Sequence, residues 1–263
     1  MSVRTPIPIL AYHSISEAPE AGIAPFTVRP ADLERHLDLL VEGGGCAMTV
    51  PDLVDHLHRG DDLPPGAVAI TFDDGFEDNL TVAAPMLRVR GLPATVYVTT
   101  GFLRGGAPVG RTVPGRMLAW DQLAELEAAG IVMGAHAHTH PQLDLLPRAE
   151  ATGEIARSKD LLEARLGHAV STFAYPHGYA SRWLRDEVRR RGFRSACGVR
   201  NAFSHAGDDR WMLARLTVCA TTTPDEVHAW LTGSGAPVAT RGEHLRTKGW
   251  RAVRRSMPVR CQP

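Results

Sequence analysis

The chain has 263 residues, 44 % of them hydrophobic, which is enough for one substantial core of barrel or doubly wound type. Formal net charge is +0, with 29 Lys+Arg against 29 Asp+Glu, so the basic footprint of a nucleic-acid binder is missing. No run approaches the roughly 18 apolar residues that span a bilayer, and Cys46, Cys197, Cys219 and Cys261, widely spaced and without C-x-x-C, indicate neither a zinc knuckle nor a disulfide framework.

The opening MSVRTPIPILAYHSIS is too short and broken for a signal peptide. A cytoplasmic location is expected of the chain as it stands, and an extracytoplasmic one if it is a truncated piece. IPILAY (7–12) reads as a strand. PADLERHLDLLVEGGG (30–45) reads as a helix, with Pro30 in its first turn, Leu33, Leu37, Leu40 and Val41 on one face, and glycines as the stop. AVAITF (67–72) is a buried strand, and 78–91 is a helix in which Pro85 marks a kink or a late start. PATVYVTT (93–100) is a strand and 101–117 a loop rich in Gly and Pro. A helix at 120–130, a strand at 131–137, a helix at 146–167, a strand at 169–176, a helix at 181–192, a strand at 214–220 and a helix at 224–233 complete the pattern. Alternating strands and helices predict a parallel sheet with helical crossovers, and about seven such units would close into a barrel.

The segment from Arg241 to Pro263 departs from this pattern, with seven Lys/Arg residues against one acid, Glu243. It reads as a basic, solvated tail, with weak contact to an anionic surface as the sharper alternative.

Three chemistry-bearing stretches fall at predicted strand ends: Asp73-Asp74 in ITFDDGF, the histidines of GAHAHTHP (134–141), and YPHG (175–178). In a barrel of parallel strands those ends surround one opening. His136, His138 and His140 offer imidazole nitrogens suited to zinc and similar metals. Two histidines and one carboxylate leave a tetrahedral ion with one open position. Two adjacent carboxylates repel, but a cation bound by one of them relieves most of that cost, and the other is then placed to take a proton from water. Taken alone, Asp-Asp-Gly is a turn more often than a site.

TFDDG (71–75), the H-x-x-x-H from His136 to His140 and the YPHG turn resemble the polysaccharide deacetylase family, also known as carbohydrate esterase family 4 or the NodB-homology domain. YHSI (12–15) and RLTV (215–218) are similar to the branch that includes poly-N-acetylglucosamine deacetylases. The resemblance runs from about residue 7 to 233. It implies a distorted (β/α)7 barrel as a single catalytic domain over 1–233, followed by the tail at 234–263, and removal of acetyl groups from N-acetylated sugars with the help of one divalent metal. Zn2+ is the expected ion, with Co2+, Ni2+ or Mn2+ as alternatives. Carried over by position, Asp74, His136 and His140 match the metal ligands and Asp73 the general base. The backbone N–H of His177, beside Tyr175 and Pro176, is the implied oxyanion donor.

Several positions depart from the family pattern. Ala137 stands where many members carry a hydroxyl that braces the histidine loop, so the brace must come from elsewhere, with Thr139 the candidate. Ala174 stands where many carry an Arg, and Arg215 is the candidate to hold Asp73 in its place. A late Leu-x-His that would supply an acid is not evident, and His13 is the candidate replacement, ahead of His205 and His228. Tyr175, Tyr179 and Trp183 are candidates for stacking on sugar faces. Three other readings stay open: an O-acetyl esterase, a cyclic-amide hydrolase, and an inactive sugar-binding barrel.

Overall fold

The computed structural model describes residues 5–106 and 112–240, together with 249 and 253. Most of the basic tail, and the surface contact expected of it, therefore lies outside the described residues.

The strands are β1 (Ile9–Tyr12), β2 (Cys46–Met48), β3 (Ala67–Phe72), β4 (Ala94–Val98), β5 (Ile131–Ala135), β6 (Thr172–Ala174), β7 (Ser195–Cys197) and β8 (Leu216–Thr217). The helices are α1 (Pro30–Glu42), α2 (Val50–Arg59), α3 (Ala84–Val89), α4 (Leu123–Ala128), α5 (Arg148–Leu166), α6 (Arg182–Arg190) and α7 (Pro224–Leu231). The strands run β7-β6-β5-β4-β3-β1-β8, with β2 on the first half of β3, and every pairing is parallel.

Residues 210–213 bring the two sheet ends together. They run beside β7, where the Leu213 N–H donates to Ala196 O at 2.9 Å and the Gly198 N–H to Leu213 O at 2.9 Å, and then lead into β8, which pairs with β1. The result is a single distorted (β/α)7 barrel, as the alternating pattern predicts.

The two-residue period of the strands sorts the core. Leu10, Tyr12, Ile70, Phe72, Val96 and Val98 pack outward against buried helix faces, including Leu33, Leu37 and Leu40 of α1 and Ile155 and Leu162 of α5. Ile9, Ala69, Tyr97, Ala174 and Cys197 form a second set with Val50, Leu53 and Val54 of α2. Because β2 and α2 join the amino-terminal part of β3, that end is filled, and the opposite, carboxyl end is left for chemistry.

Two expectations need correction. Val41 does not complete the buried face of α1, being 49 % exposed; His36 takes that place at 2 % exposure. The 78–91 helix is a π-helical turn, Asn79–Ala83, followed by α3, whose first turn holds Pro85, so the late start is the correct alternative. Beyond α7 the chain stays packed for a few residues, with Val238 bridged to Phe203 and Ala239 buried. Among the described residues no helix is long and apolar enough to cross a membrane.

Candidate active site at the carboxyl ends of the strands

The end of β3 delivers the paired carboxylates. The Asp73 N–H donates to Tyr12 O at 2.9 Å, and Asp74 and Gly75 then turn the chain through left-handed backbone, φ 71° and 86°. Such torsion is costly for a side-chain-bearing residue, and Asp is among those that tolerate it best. The Thr99 N–H donates to Asp74 O at 3.1 Å and ties the turn to the end of β4. Both carboxylates end up buried, 3 % exposed at Asp73 and 5 % at Asp74.

The end of β5 delivers the histidines. The Nδ1–H of His136 donates to the Ala174 carbonyl at 2.8 Å, and since a carbonyl only accepts, this fixes the tautomer and leaves the Nε2 lone pair free. That lone pair faces Asp74 Oδ1 at 3.5 Å, and His140 Nε2 lies 3.2 Å from the same oxygen. Asp74 Oδ1 is enclosed and accepts no hydrogen bond. A lone pair pointed at a carboxylate oxygen is unfavourable unless a cation stands between them. One ligand atom from each of Asp74, His136 and His140 lies within 4.8 Å of the others. A carboxylate with two imidazoles is a donor set that fits a zinc-like divalent ion. Burial pushes Asp74 up to about 6, against the opposing charge of His13 and with help from Asp73, and burial pushes His136 down to about 3. A cation at this point would favour the carboxylate and the neutral imidazole together.

Arg215, fully buried, reaches the other carboxylate. Its Nη1 donates to Asp73 Oδ1 at 2.7 Å and its Nη2 to Oδ2 at 2.6 Å, while Nε donates to Gly198 O at 3.0 Å and Nη1 also to Thr71 Oγ1 at 3.1 Å. Burial alone would raise Asp73, but the guanidinium charge, His136 and the paired hydrogen bonds outweigh it and hold the carboxyl well below the usual range. Each Asp73 oxygen keeps one acceptor position beyond its bond to Arg215.

A cavity of about 520 Å³ opens over these groups, lined among others by His13, Phe26, Phe102, Tyr179 and Thr217. His13 is held from below, where Asn79 Nδ2 donates to its carbonyl at 2.8 Å and Ser14 Oγ donates to Asp78 at 2.6 Å; its Nδ1 is enclosed without a partner. His177 is exposed, in left-handed backbone at φ 58°, with its ring 4.7 Å from that of His140.

Two stacking expectations fail. Tyr175 borders the cavity but is fully buried, with its hydroxyl donating to Trp211 O at 3.1 Å, so no ring face is open for stacking. Trp183 sits on α6 under the Arg148 guanidinium, outside the cavity lining. Tyr179 lines the cavity. His205 bonds Ala239 O at 3.0 Å and His228 lies in α7, both outside the cavity lining.

Glu154 went unnoticed in the sequence. From α5 it accepts from the His138 N–H at 2.9 Å, the Thr139 N–H at 2.7 Å and the Thr139 hydroxyl at 2.8 Å. It thus clamps the turn between His136 and His140, where Ala137 offers no hydroxyl. His138 is buried, with Nδ1 2.8 Å from Thr100 Oγ1. Thr217, two residues after Arg215 on β8, was also missed, although strand alternation puts both on one face.

Comparison with known proteins gives a consistent picture. A family model for polysaccharide deacetylase matches residues 60–196, more than half of the chain. YxkH of Bacillus subtilis (strain 168), assigned to polysaccharide deacetylases, is 28 % identical over 172 residues, 65 % of this chain and 57 % of that protein, so the match spans little more than half of the relative. Among solved structures, IcaB from Ammonifex degensii is 25 % identical with a TM-score of 0.73, covering 86 % of this chain and 97 % of its own. Streptococcus pyogenes deacetylase PplD, in complex with acetate, shares the fold at 23 % identity and a TM-score of 0.76, covering 86 % of this chain and 97 % of its own. The chain belongs to the polysaccharide deacetylase family.

Proposed function

We propose that this member of the polysaccharide deacetylase family is a metal-dependent hydrolase that removes acetyl groups from N-acetylated sugars of the N-acetylglucosamine type. One observation carries the reading: Asp74, His136 and His140 converge on a point beside Asp73, and Arg215 keeps Asp73 ionised. A divalent ion held by those three ligands, with Zn2+ the best fit to the donor set, supplies Lewis acidity for a carbonyl oxygen and for water.

The chain's own groups supply the rest. Asp73 takes the proton of the attacking water through an acceptor position that Arg215 leaves open. With its pKa held low, its service is ionisation and placement rather than strong basicity. The His177 N–H donates to the oxyanion that forms as the carbonyl is attacked. His13, across the cavity, donates the proton without which an amine cannot leave near neutral pH. Phe26, Phe102 and Tyr179 wall the cavity. The full set Asp73, Asp74, His136 and His140 weighs against an inactive binding barrel.

The test is acetate release from N-acetylglucosamine oligomers and from acetylated xylan, with and without chelator. Chelator-sensitive release from the amide substrates is expected. In Asp73→Asn, turnover falls about 10²–10⁴-fold while stoichiometric metal is retained. Release from acetylated xylan alone would turn the reading to O-acetyl ester cleavage, and wild-type rates in Asp73→Asn would remove Asp73 as the base.

A further inference from the structure

The interior beneath the paired carboxylates is polar. Barrels of parallel strands are typically filled by branched apolar side chains, yet Thr71, Tyr97, Thr172, Ser195, Cys197 and Arg215 are all buried here, at 1 % exposure or less. Tyr97 links them. Arg215 Cζ lies over its ring, 5.4 Å from the centroid. Its hydroxyl stands 2.9 Å from Thr172 Oγ1 and 3.3 Å from Cys197 Sγ, and Ser195 Oγ donates to Thr172 Oγ1 at 2.9 Å. A ring carried by β4 is thus anchored at its far end by side chains of β6 and β7.

Room for this ring is made on the next strand. Gly134 pairs with Tyr97 in the β4–β5 register, and a Cβ there would lie 2.4 Å from ring atom Cδ1 and 2.5 Å from Cε1. Glycine inside a strand weakens it and often marks a close approach; here the approaching group is the Tyr97 ring.

The hydrogen bonds of Arg215 run from the edge of the guanidinium: Nε to Gly198 O, Nη1 to Thr71 and Asp73, and Nη2 to Asp73. Each such bond tolerates about 30° of bending, so together they place the group but resist tilting of its plane weakly. Tyr97 meets the face instead, within the ~6 Å over which a cation is drawn to an aromatic ring. Burial pushes the Tyr97 hydroxyl well above its ordinary value and the Cys197 thiol up to about 11, so both stay neutral and leave the guanidinium charge to Asp73.

We propose that Tyr97 is a positioning residue for the deacetylation step, its ring backing the face of Arg215 and so fixing the direction from which Asp73 receives a proton. The inference rests on the reading of Asp73 as the base. Neither Tyr97 nor Arg215 lines the catalytic cavity, so the role concerns the rate of the step and not the binding of substrate.

The test is acetate release from N-acetylglucosamine oligomers, with Zn2+ titration and urea unfolding beside it. In Tyr97→Leu, kcat per folded molecule falls about ten- to a hundredfold, while KM and Zn2+ affinity stay as in the wild type. Tyr97→Phe, which keeps the ring and loses only its anchor, recovers most of that rate. The deciding arm is an Arg215→Lys background, where no planar group needs backing and Tyr97→Leu lowers kcat no further. Gly134→Ala, which pushes the ring aside, takes the place of Tyr97→Leu in both backgrounds if that variant fails to fold. An undiminished further loss in the Arg215→Lys background would make Tyr97 ordinary core packing, and so would a rise in KM or a weakening of Zn2+ binding that accounts for the lost rate. Equal losses in Tyr97→Phe and Tyr97→Leu would move the role from the ring to the hydroxyl and overturn the proposal. Unchanged kcat would overturn it too, while leaving the deacetylase reading intact. No acetate release from the wild type would overturn the deacetylase reading itself, and the positioning role with it.

Discussion

The strand-end mouth and the helical layer meet the same backbone demand with different residues. Where helices must end in left-handed conformation, the chain uses glycine: Gly60 after α2 at φ 75° and Gly167 after α5 at φ 78°. At the mouth Gly75 and Gly178 do the same, but Asp74, Ala137, His140 and His177 adopt it too, at φ between 57° and 71°. Left-handed backbone costs a side-chain-bearing residue roughly 1–2 kcal/mol. Three of these four carry groups that glycine cannot supply, and the methyl of Ala137 packs in the main core. The helical layer is built for stability. The mouth holds strain, buried charge and unmatched lone pairs, and the surrounding hydrogen bonds keep them in place.

The largest effect should come from breaking the paired hydrogen bonds between Arg215 and Asp73 at the mouth. Arg215→Met leaves Asp73 buried without a partner, which costs about 3–5 kcal/mol, and Asp73 then gains a proton and loses its role. Adding Asp73→Leu removes the stranded charge, so most of the stability returns while activity does not. Urea unfolding beside acetate release reads both quantities. If the double variant stayed as unstable as the single one, Arg215 would be holding the barrel rather than the carboxylate.

The helical layer has its own titrating group, which sharpens the contrast. His36 of α1 is buried, with Nδ1 3.2 Å from the Tyr12 hydroxyl, and burial pushes it down to about 4 despite the nearby Asp32. Its folded-state pKa lies below the unfolded value of about 6.5, so the unfolded chain binds the proton first. Its contribution is complete above that pH and is lost as pH falls from about 6.5 to about 4, at most about 3 kcal/mol. His36→Gln should flatten the urea midpoint across that window relative to wild type. Parallel curves for the two proteins would show that His36 is not protected from protonation.

Next is the clamp on the histidine turn. Glu154→Ala removes three hydrogen bonds on the turn between His136 and His140, the proposed metal ligands. Loss of such supporting groups typically costs 10–100-fold in metal affinity. Calorimetric titration of the metal-free protein with Zn2+ should show this weakening, with only a small change in metal-free stability. Unchanged affinity would mean that the turn holds its shape without the clamp.

The same division explains what the sequence made legible. AVAITF is a strand with the expected bounds because six residues, all apolar but Thr71, flanked by turns leave little choice. The paired aspartates and the spaced histidines could be read because each set is local in the chain. β2 and β7, three residues each, carry too little alternation to register, and α2 follows β2 closely with Pro51 in its first turn. Glu154 was invisible for another reason: its partners lie 15 and 16 residues earlier, on the far side of a turn, and no local pattern marks it. Arg215 and Asp73 are 142 residues apart, and only the resemblance of RLTV joined them.

The smallest effect belongs to the helical layer alone. Thr223 caps α7: its hydroxyl accepts from the Glu226 N–H at 3.2 Å, and the Glu226 carboxylate accepts from the Thr223 N–H at 2.8 Å. Together these satisfy two donors at the helix start. Thr223→Ala removes one of them and should cost about 1 kcal/mol, a shift of a few degrees in melting temperature. Because α7 packs against α1 on the outside and does not line the catalytic cavity, acetate release per folded molecule should stay as in the wild type. A fall in turnover larger than the fall in folded fraction would mean that strain at the mouth is maintained from the helical layer, and the division between the two regions would fail.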